Sequence, residues 1–259
     1  MNPEITYIIN TLFLIFSATL IILMAPGFAM LEAGLVRSKN VVSVLTGNVM
    51  LYAVTSMVFL LWGYSLMFGG SGFFDGGIKQ TNYSIYAIMF FQLAFVSKTV
   101  SIVSGAVSER IRIWPFMAFA FIMAGFIYPI VGSWTWGGGF LKELNDFAGS
   151  TVIHSVGGWA ALAAILLLGA RKGKYSKDGR IRAVPASNIP LVTLGAMLLW
   201  IGWFGFNGGS ALTISSHDNA DLVGKVILNT NTAGLAGALT AAALMQYQYK
   251  KLDITMILN

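Results

Sequence analysis

The chain has 259 residues, 56% of them hydrophobic and only 10% charged, with a net charge of +6 and no cysteine. A soluble domain carries roughly 25% charged residues, so with a mean hydropathy of +0.74 a soluble enzyme is excluded. The absence of cysteine excludes disulfides, thiol catalysis and cysteine metal sites. Apolar residues come in long runs rather than in alternation, which excludes a β-barrel and leaves an all-α, polytopic membrane protein.

Seven apolar segments are read along the chain, near 8–34, 42–68, 84–107, 114–136, 148–170, 188–212 and 222–247. Each is about 20 residues or longer, enough to cross a hydrocarbon core of roughly 30 Å. The first has no basic n-region and carries the acidic Glu4, so it is a spanning helix and not a signal peptide. Small residues crowd the fifth segment, where Gly157, Gly158, Ala160, Ala161, Ala163 and Ala164 predict close helix packing. No soluble domain or linker interrupts 1–259. After Lys250 and Lys251, residues 254–259 read as the start of another apolar helix. A truncated product is therefore expected, the alternative being a short interfacial stub.

The loops set the orientation. Arg37, Lys39, Arg110 and Arg112, the six basic residues of loop 170–183, and Lys250 and Lys251 place twelve basic residues on one side. Lys79, Lys142 and Lys225 are the three on the other. This positive-inside pattern predicts an outside N-terminus and a multi-pass protein of the cell membrane, plasma or inner. Basic charge distributed by topology, rather than gathered on one face, does not point to nucleic acid.

Ionisable groups at membrane depth are costly and tend to be functional. His154 follows Asp146 by eight residues, about 12 Å of helical rise, which places both on a similar face. His154 reads either as an imidazole satisfied by a backbone carbonyl or as a pore group that hydrogen-bonds a small solute and relays protons. Asp146 reads as a helix cap or as a carboxylate whose field holds a cation at the outer mouth. Trp134 and Trp136 are an interfacial belt or a cation–π wall. Trp200, Trp203, Phe204 and Phe206, set among glycines and followed by Ser210, are core packing or a constriction with a hydroxyl above it. Glu32 and Glu109 are expected to be helix-end charges that pair locally. His217 is expected to be solvated. No paired carboxylates, nucleophile–base set or metal-spaced ligands appear in the spans, so no enzyme activity, metal or cofactor is expected.

Several motifs resemble one family. The run from Pro26 to Asn40, PGFAMLEAGLVRSKN, is similar to the first-helix signature of the Amt/Mep/Rh ammonium transporters. The resemblance continues through Phe91–Phe95, Ser104–Arg110, Asp146–His154 and Gly202–Ser210, and covers nearly the whole chain. It implies a trimer whose subunits each hold eleven helices, two inverted five-helix repeats and a narrow pore. The chain then corresponds to the first repeat and two helices of the second.

The resemblance implies roles residue by residue. Phe95 and Phe206 match the two phenylalanines that gate the pore. Trp136 and Ser210, with Phe95, match the outer site that recruits ammonium. Asp146 matches the carboxylate that supports this site without a direct bond, and His154 the first of two pore histidines. The second, in a Gly-Val-His-Gly-like motif, is absent from this sequence. The implied function is to deprotonate ammonium and conduct ammonia through a hydrophobic lane in the lipid bilayer, the proton moving separately. The alternatives are an ammonium-sensing, poorly conducting member or a non-functional fragment. A trimeric P-II signal protein is the implied partner, with loop 171–182 as a contact. Lys98 departs from the family pattern of a small or uncharged residue. It is expected to modulate conduction, to snorkel to the interface or to pair with a carboxylate.

Overall fold

The computed structural model describes residues 2–70, 72 and 82–259; Lys79 of the expected outer loop lies outside them. A backbone in hydrocarbon must satisfy its own hydrogen bonds, so the apolar runs become helices. Helices α1 (Pro3–Ile22) and α2 (Met24–Leu35) form the first long rod. Pro26 falls in the first turn of α2, where its missing N–H costs nothing. Then come α3 (Val41–Val58), α4 (Tyr64–Phe68) and α5 (Ile85–Val107). Next are α6 (Ile113–Ile122), α7 (Tyr128–Thr135), α8 (Val156–Leu168), α9 (Ile189–Gly209), α10 (His217–Tyr249) and the short α11 (Ile254–Leu258). The described residues contain no strand beyond one isolated bridge, Tyr175 to Ile181.

Six of the rods are long and apolar enough to cross a membrane: Pro3–Leu35, Ser38–Phe68, Ile85–Val107, Ile113–Thr135, Ser150–Leu168 and Ile189–Gly209. The chain is a multi-pass membrane protein. The expected segment 222–247 falls inside α10, a helix of 33 residues. Asn229, Thr230, Asn231 and Thr232 interrupt its apolar run, which sets it apart from the six.

Three rods carry π turns, at Phe59–Gly63, Met123–Ile127 and Ser150–Ser155. The first two face each other. The Trp62 Nε1 donates to the Gly125 carbonyl at 2.9 Å, a partner that wide helical turns make available.

Helix α5 is the centre of the bundle, buried for most of its length between α1, α3 and α8. Helix α9 closes on α1 and α2 through glycines. A Cβ at Gly195 would lie 2.4 Å from the Leu31 amide nitrogen, and one at Gly205 2.5 Å from the Ser17 carbonyl. Gly157 of the crowded fifth segment meets the Thr99 carbonyl in the same way, whereas Gly158 faces open space. Asn10 ties the N-terminal end of this assembly together. Its Oδ1 accepts from the amides of Ile214 and Ser215, and its Nδ2 donates to the Asn82 carbonyl.

The opposite end is clamped by Glu109, which does not pair with the arginines that follow it in sequence. Its Oε1 accepts from the Arg37 backbone and Nε at 3.0 and 2.9 Å, and from Asn40; Arg171 approaches its Oε2 at 3.5 Å. Three basic-side loops thus meet on one carboxylate. Burial alone would raise this carboxyl, but the Arg37 and Asn40 hydrogen bonds and the Arg37 charge outweigh it and hold it below its ordinary 4.5.

A carboxyl depressed in the folded state stabilises above its unfolded value and loses that contribution as pH falls through the folded one. Glu109→Gln should therefore cost about 1–3 kcal/mol of stability at pH 7 through lost charged hydrogen bonding, read as a lower melting temperature. The gap to wild type should close in melts taken well below pH 4.5. At the glycine interface, Gly195→Val should cost about 1–3 kcal/mol by overpacking. Gly237→Ala, mid-α10 and with a Cβ that meets nothing within 4 Å, should not lower the melting temperature and should raise it slightly, alanine being the better helix former.

Candidate functional site: an aromatic vestibule above an imidazole

A cavity of about 270 Å³ opens at the end of the bundle that holds Asp146 and Ser210. Trp136, Phe95, Ser210 and Leu212 are among the residues that line it. Each is placed by an identifiable local feature.

Asp146 lies outside the helix that follows it. The fifth span begins at Ser150 with a π turn, preceded by Gly149 at φ +93°, a backbone angle that favours glycine. The eight-residue spacing to His154 is therefore not a helical rise of 12 Å, because the loop doubles back. The Asp146 carboxylate is buried. It accepts from the amides of Gly149 at 2.9 Å, Thr151 at 3.0 Å and Val152 at 2.8 Å. These are orphan donors of a helix start, and an acidic acceptor there also meets the favourable end of the helix dipole. The Asp146 main-chain carbonyl accepts from the Trp136 indole Nε1 at 2.7 Å. The carboxylate thus orders the loop, and the loop's carbonyl orients the indole.

The two expected tryptophans separate. Trp134 is exposed and packs on Phe140, whereas Trp136 is half-buried in the vestibule wall. Phe95 is fully buried, with its ring centroid 6.1 Å from Trp136 and 4.6 Å from Phe206. The Phe95 and Phe206 planes cross at 84°, an edge-to-face contact worth about 0.5–1.5 kcal/mol beyond burial. His154 is exposed, with its ring centroid 5.7 Å from Phe206. Its imidazole makes no hydrogen bond among the described residues, so no carbonyl satisfies it. Of the aromatic run in α9, only Phe206 reaches this stack.

Ser210 is the C-cap of α9, and its Oγ donates to the Phe206 carbonyl at 2.7 Å. With its proton so engaged, the hydroxyl faces a ligand as an acceptor. Sequence reasoning assigned no role to Phe91 and Gln92. Phe91 meets Phe95 edge-on at 4.6 Å. The buried Gln92 Oε1 makes no hydrogen bond among the described residues, and both residues line the cavity. Their positions four and three residues before Phe95 are the signal that places them on its face.

Lys98 neither snorkels nor pairs with a carboxylate. It is 2% exposed, and among the described residues its Nζ has no hydrogen-bond partner. The Nζ lies 5.7 Å from the Tyr52 ring centroid on α3, so the side chain is directed at α3 while Phe95 meets Phe206 and Trp136. His217 is exposed at the start of α10.

Residues 12–259 match the model of the Ammonium Transporter Family. The chain belongs to the ammonium transporter family. It is 39% identical over 278 residues to the ammonium transporter Amt2 of Archaeoglobus fulgidus, covering all of this chain and 58% of that relative. Against the ammonium transporter of Bacillus subtilis it is 38% identical over 246 residues, covering 88% of this chain and 57% of the relative. The chain thus spans a little over half the length of these curated relatives. Among solved structures, a protein titled "Sensor Amt Protein" superimposes with TM-score 0.91 at 38% identity, covering 98% of this chain and 66% of that one. Candida albicans Mep2 superimposes with TM-score 0.83 at 28% identity, covering 100% and 59%.

Within this family fold the Asp146 cap is open to a direct test. Asp146→Ala leaves three amides without their acceptor, two of them in the helix's first turn. At about 1–3 kcal/mol for a buried unsatisfied group, a drop of more than about 2 kcal/mol in stability is expected. Asp146→Asn, which keeps an acceptor oxygen, should lose less. Thermal unfolding in detergent reads both.

Proposed function

We propose that the chain moves ammonium across the cell membrane, through a lane that starts at the Trp136 vestibule and passes Phe95 and Phe206 to His154. The observation that carries this reading is the order of the groups: an aromatic face and a hydroxyl acceptor, then two crossed phenylalanines, then an imidazole. Ammonium binds against the Trp136 ring, a cation–π contact worth up to about 2 kcal/mol when desolvated, and donates to Ser210 Oγ. Asp146 supports the site through the loop rather than by touching the cation.

Carrying a desolvated ion past the phenylalanines is costly. Ammonium sheds a proton there and ammonia crosses the apolar lane. His154 can accept at one ring nitrogen and donate from the other, so it is placed to take part in the proton's separate passage. Potassium has no proton to shed and stays out. The chain acts as a transporter and not as an enzyme; its curated relatives are named as transporters.

The same reading extends to its surroundings. The twelve-to-three split of basic residues supports an outside N-terminus, with the vestibule on the outer face of the plasma or inner membrane. The family resemblance supports a homotrimer, and the exposed basic loop 171–182 supports a cytoplasmic P-II contact. A second reading is ammonium sensing with little conduction. Two observations favour it: the superposition on the protein titled a sensor, and Lys98, a buried lysine three residues beyond Phe95.

Proteoliposomes holding the chain separate the two. Transport predicts methylammonium entry well above that of protein-free liposomes, lowered about tenfold by Trp136→Leu, the equivalent of about 1.4 kcal/mol. Entry equal to protein-free liposomes would overturn it, and saturable binding without entry would favour sensing. If Lys98 modulates conduction, Lys98→Ser raises entry; an unchanged rate removes that role.

A further inference from the structure

A second cavity, of about 180 Å³, lies at the basic-loop end of the bundle and contains the buried carboxylate of Glu32. Glu32 was expected to be a helix-end charge paired nearby. Instead it is 5% exposed, and no lysine or arginine pairs with it among the described residues. Its contacts are neutral. Asn48 Nδ2 donates to Oε2 at 3.1 Å, Ser108 Oγ lies 3.3 Å from Oε2, and Ser104 Oγ is in short contact with Oε1.

A proton count shows what this arrangement lacks. Ser104 Oγ also lies 2.8 Å from the Ser101 carbonyl, and Ser108 Oγ 2.9 Å from the Ser104 carbonyl. Each hydroxyl has one proton for two acceptors. Where the serines serve their own helix, Glu32 faces their lone pairs. A second carboxylate lines the same cavity. The Glu109 side chain is inaccessible, and its Oε2 makes no hydrogen bond; Arg171 approaches it at 3.5 Å but does not pair with Glu32. Arg37 and Arg171 balance Glu109, so among the described residues Glu32 is the carboxylate of this cavity without a charged partner. When ionised, Glu32 is one uncompensated carboxylate among hydroxyls and an amide, which suits a monovalent cation, and the cavity has room for that ion together with waters.

We propose that Glu32, with Ser104, Ser108 and Asn48, binds a small monovalent cation at the basic-loop end, between α2, α3 and α5. This site is separate from the vestibule and does not depend on the transport reading.

The test is cation binding by the 259-residue chain in lipid nanodiscs, measured by equilibrium dialysis against ¹⁵N-ammonium chloride. The Trp136→Leu background removes the vestibule's contribution. In that background one bound cation should remain. Glu32→Gln should weaken it at least tenfold. Gly47 lines the cavity, and a Cβ there meets nothing within 4 Å. Gly47→Leu should therefore fill the space and abolish binding while leaving the carboxylate in place. If circular dichroism shows that Glu32→Gln does not fold, Gly47→Leu alone decides. Competition with rubidium chloride identifies the cation: displacement shows a site for any ion of this size, and none shows a site that needs N–H donors. No bound cation in the Trp136→Leu background, or binding unaltered by the folded variants, would overturn the proposal.

Discussion

Three backbone amides converging on the Asp146 carboxylate hold the vestibule end of this molecule in shape. A helix that starts inside a membrane protein exposes donors that neither lipid nor apolar side chains can satisfy. Asp146 meets that demand for Gly149, Thr151 and Val152, and the fifth span can begin at Ser150. The same residue's carbonyl receives the Trp136 indole proton. One residue therefore sets both the start of the span that carries His154 and the orientation of Trp136. The vestibule is a consequence of capping a helix.

The bundle keeps its apolar and polar interiors apart. Phe91, Phe95 and Phe206 form an aromatic plug in contact with Trp136 and His154. Glu32, Asn48, Ser104 and Ser108 form a hydroxyl-lined seam at the other end, between α2, α3 and α5. Helix α5 supplies residues to both. Glycines at the α9 contacts bring α1 and α2 close enough to position Phe206 from one side, while α5 positions Phe95 from the other.

Much of this was legible in the sequence. Long apolar runs require helices, and the family motifs name Phe95, Trp136, Asp146, His154, Phe206 and Ser210 as one site. In the structure Phe95, Trp136, Asp146 and Ser210 line one cavity, Phe206 packs on Phe95, and His154 lies 5.7 Å from Phe206. Other features were not legible for definite reasons. A helix-end carboxylate such as Glu32 looks like any surface charge until α3 and α5 pack over it, and its partners lie 16, 72 and 76 residues away. Glu109 likewise finds Arg37 across 72 residues rather than its neighbours. The turn into the fifth span broke the helical spacing assumed between Asp146 and His154. Lys98 shares a helix with Phe95, yet its Nζ is directed at Tyr52 on α3, which periodicity alone does not reveal.

The central claim is that the capped loop presents Trp136 and Ser210 as a seat for a monovalent cation. The most direct measurement is an anomalous difference map from crystals of the chain soaked in thallium(I), an ion close to ammonium in size. The account predicts a peak against the Trp136 ring within reach of Ser210 Oγ, and its disappearance in Asp146→Ala crystals as the indole moves. A vestibule without a peak in wild-type crystals, or a peak that persists in place after Asp146 is removed, would contradict it.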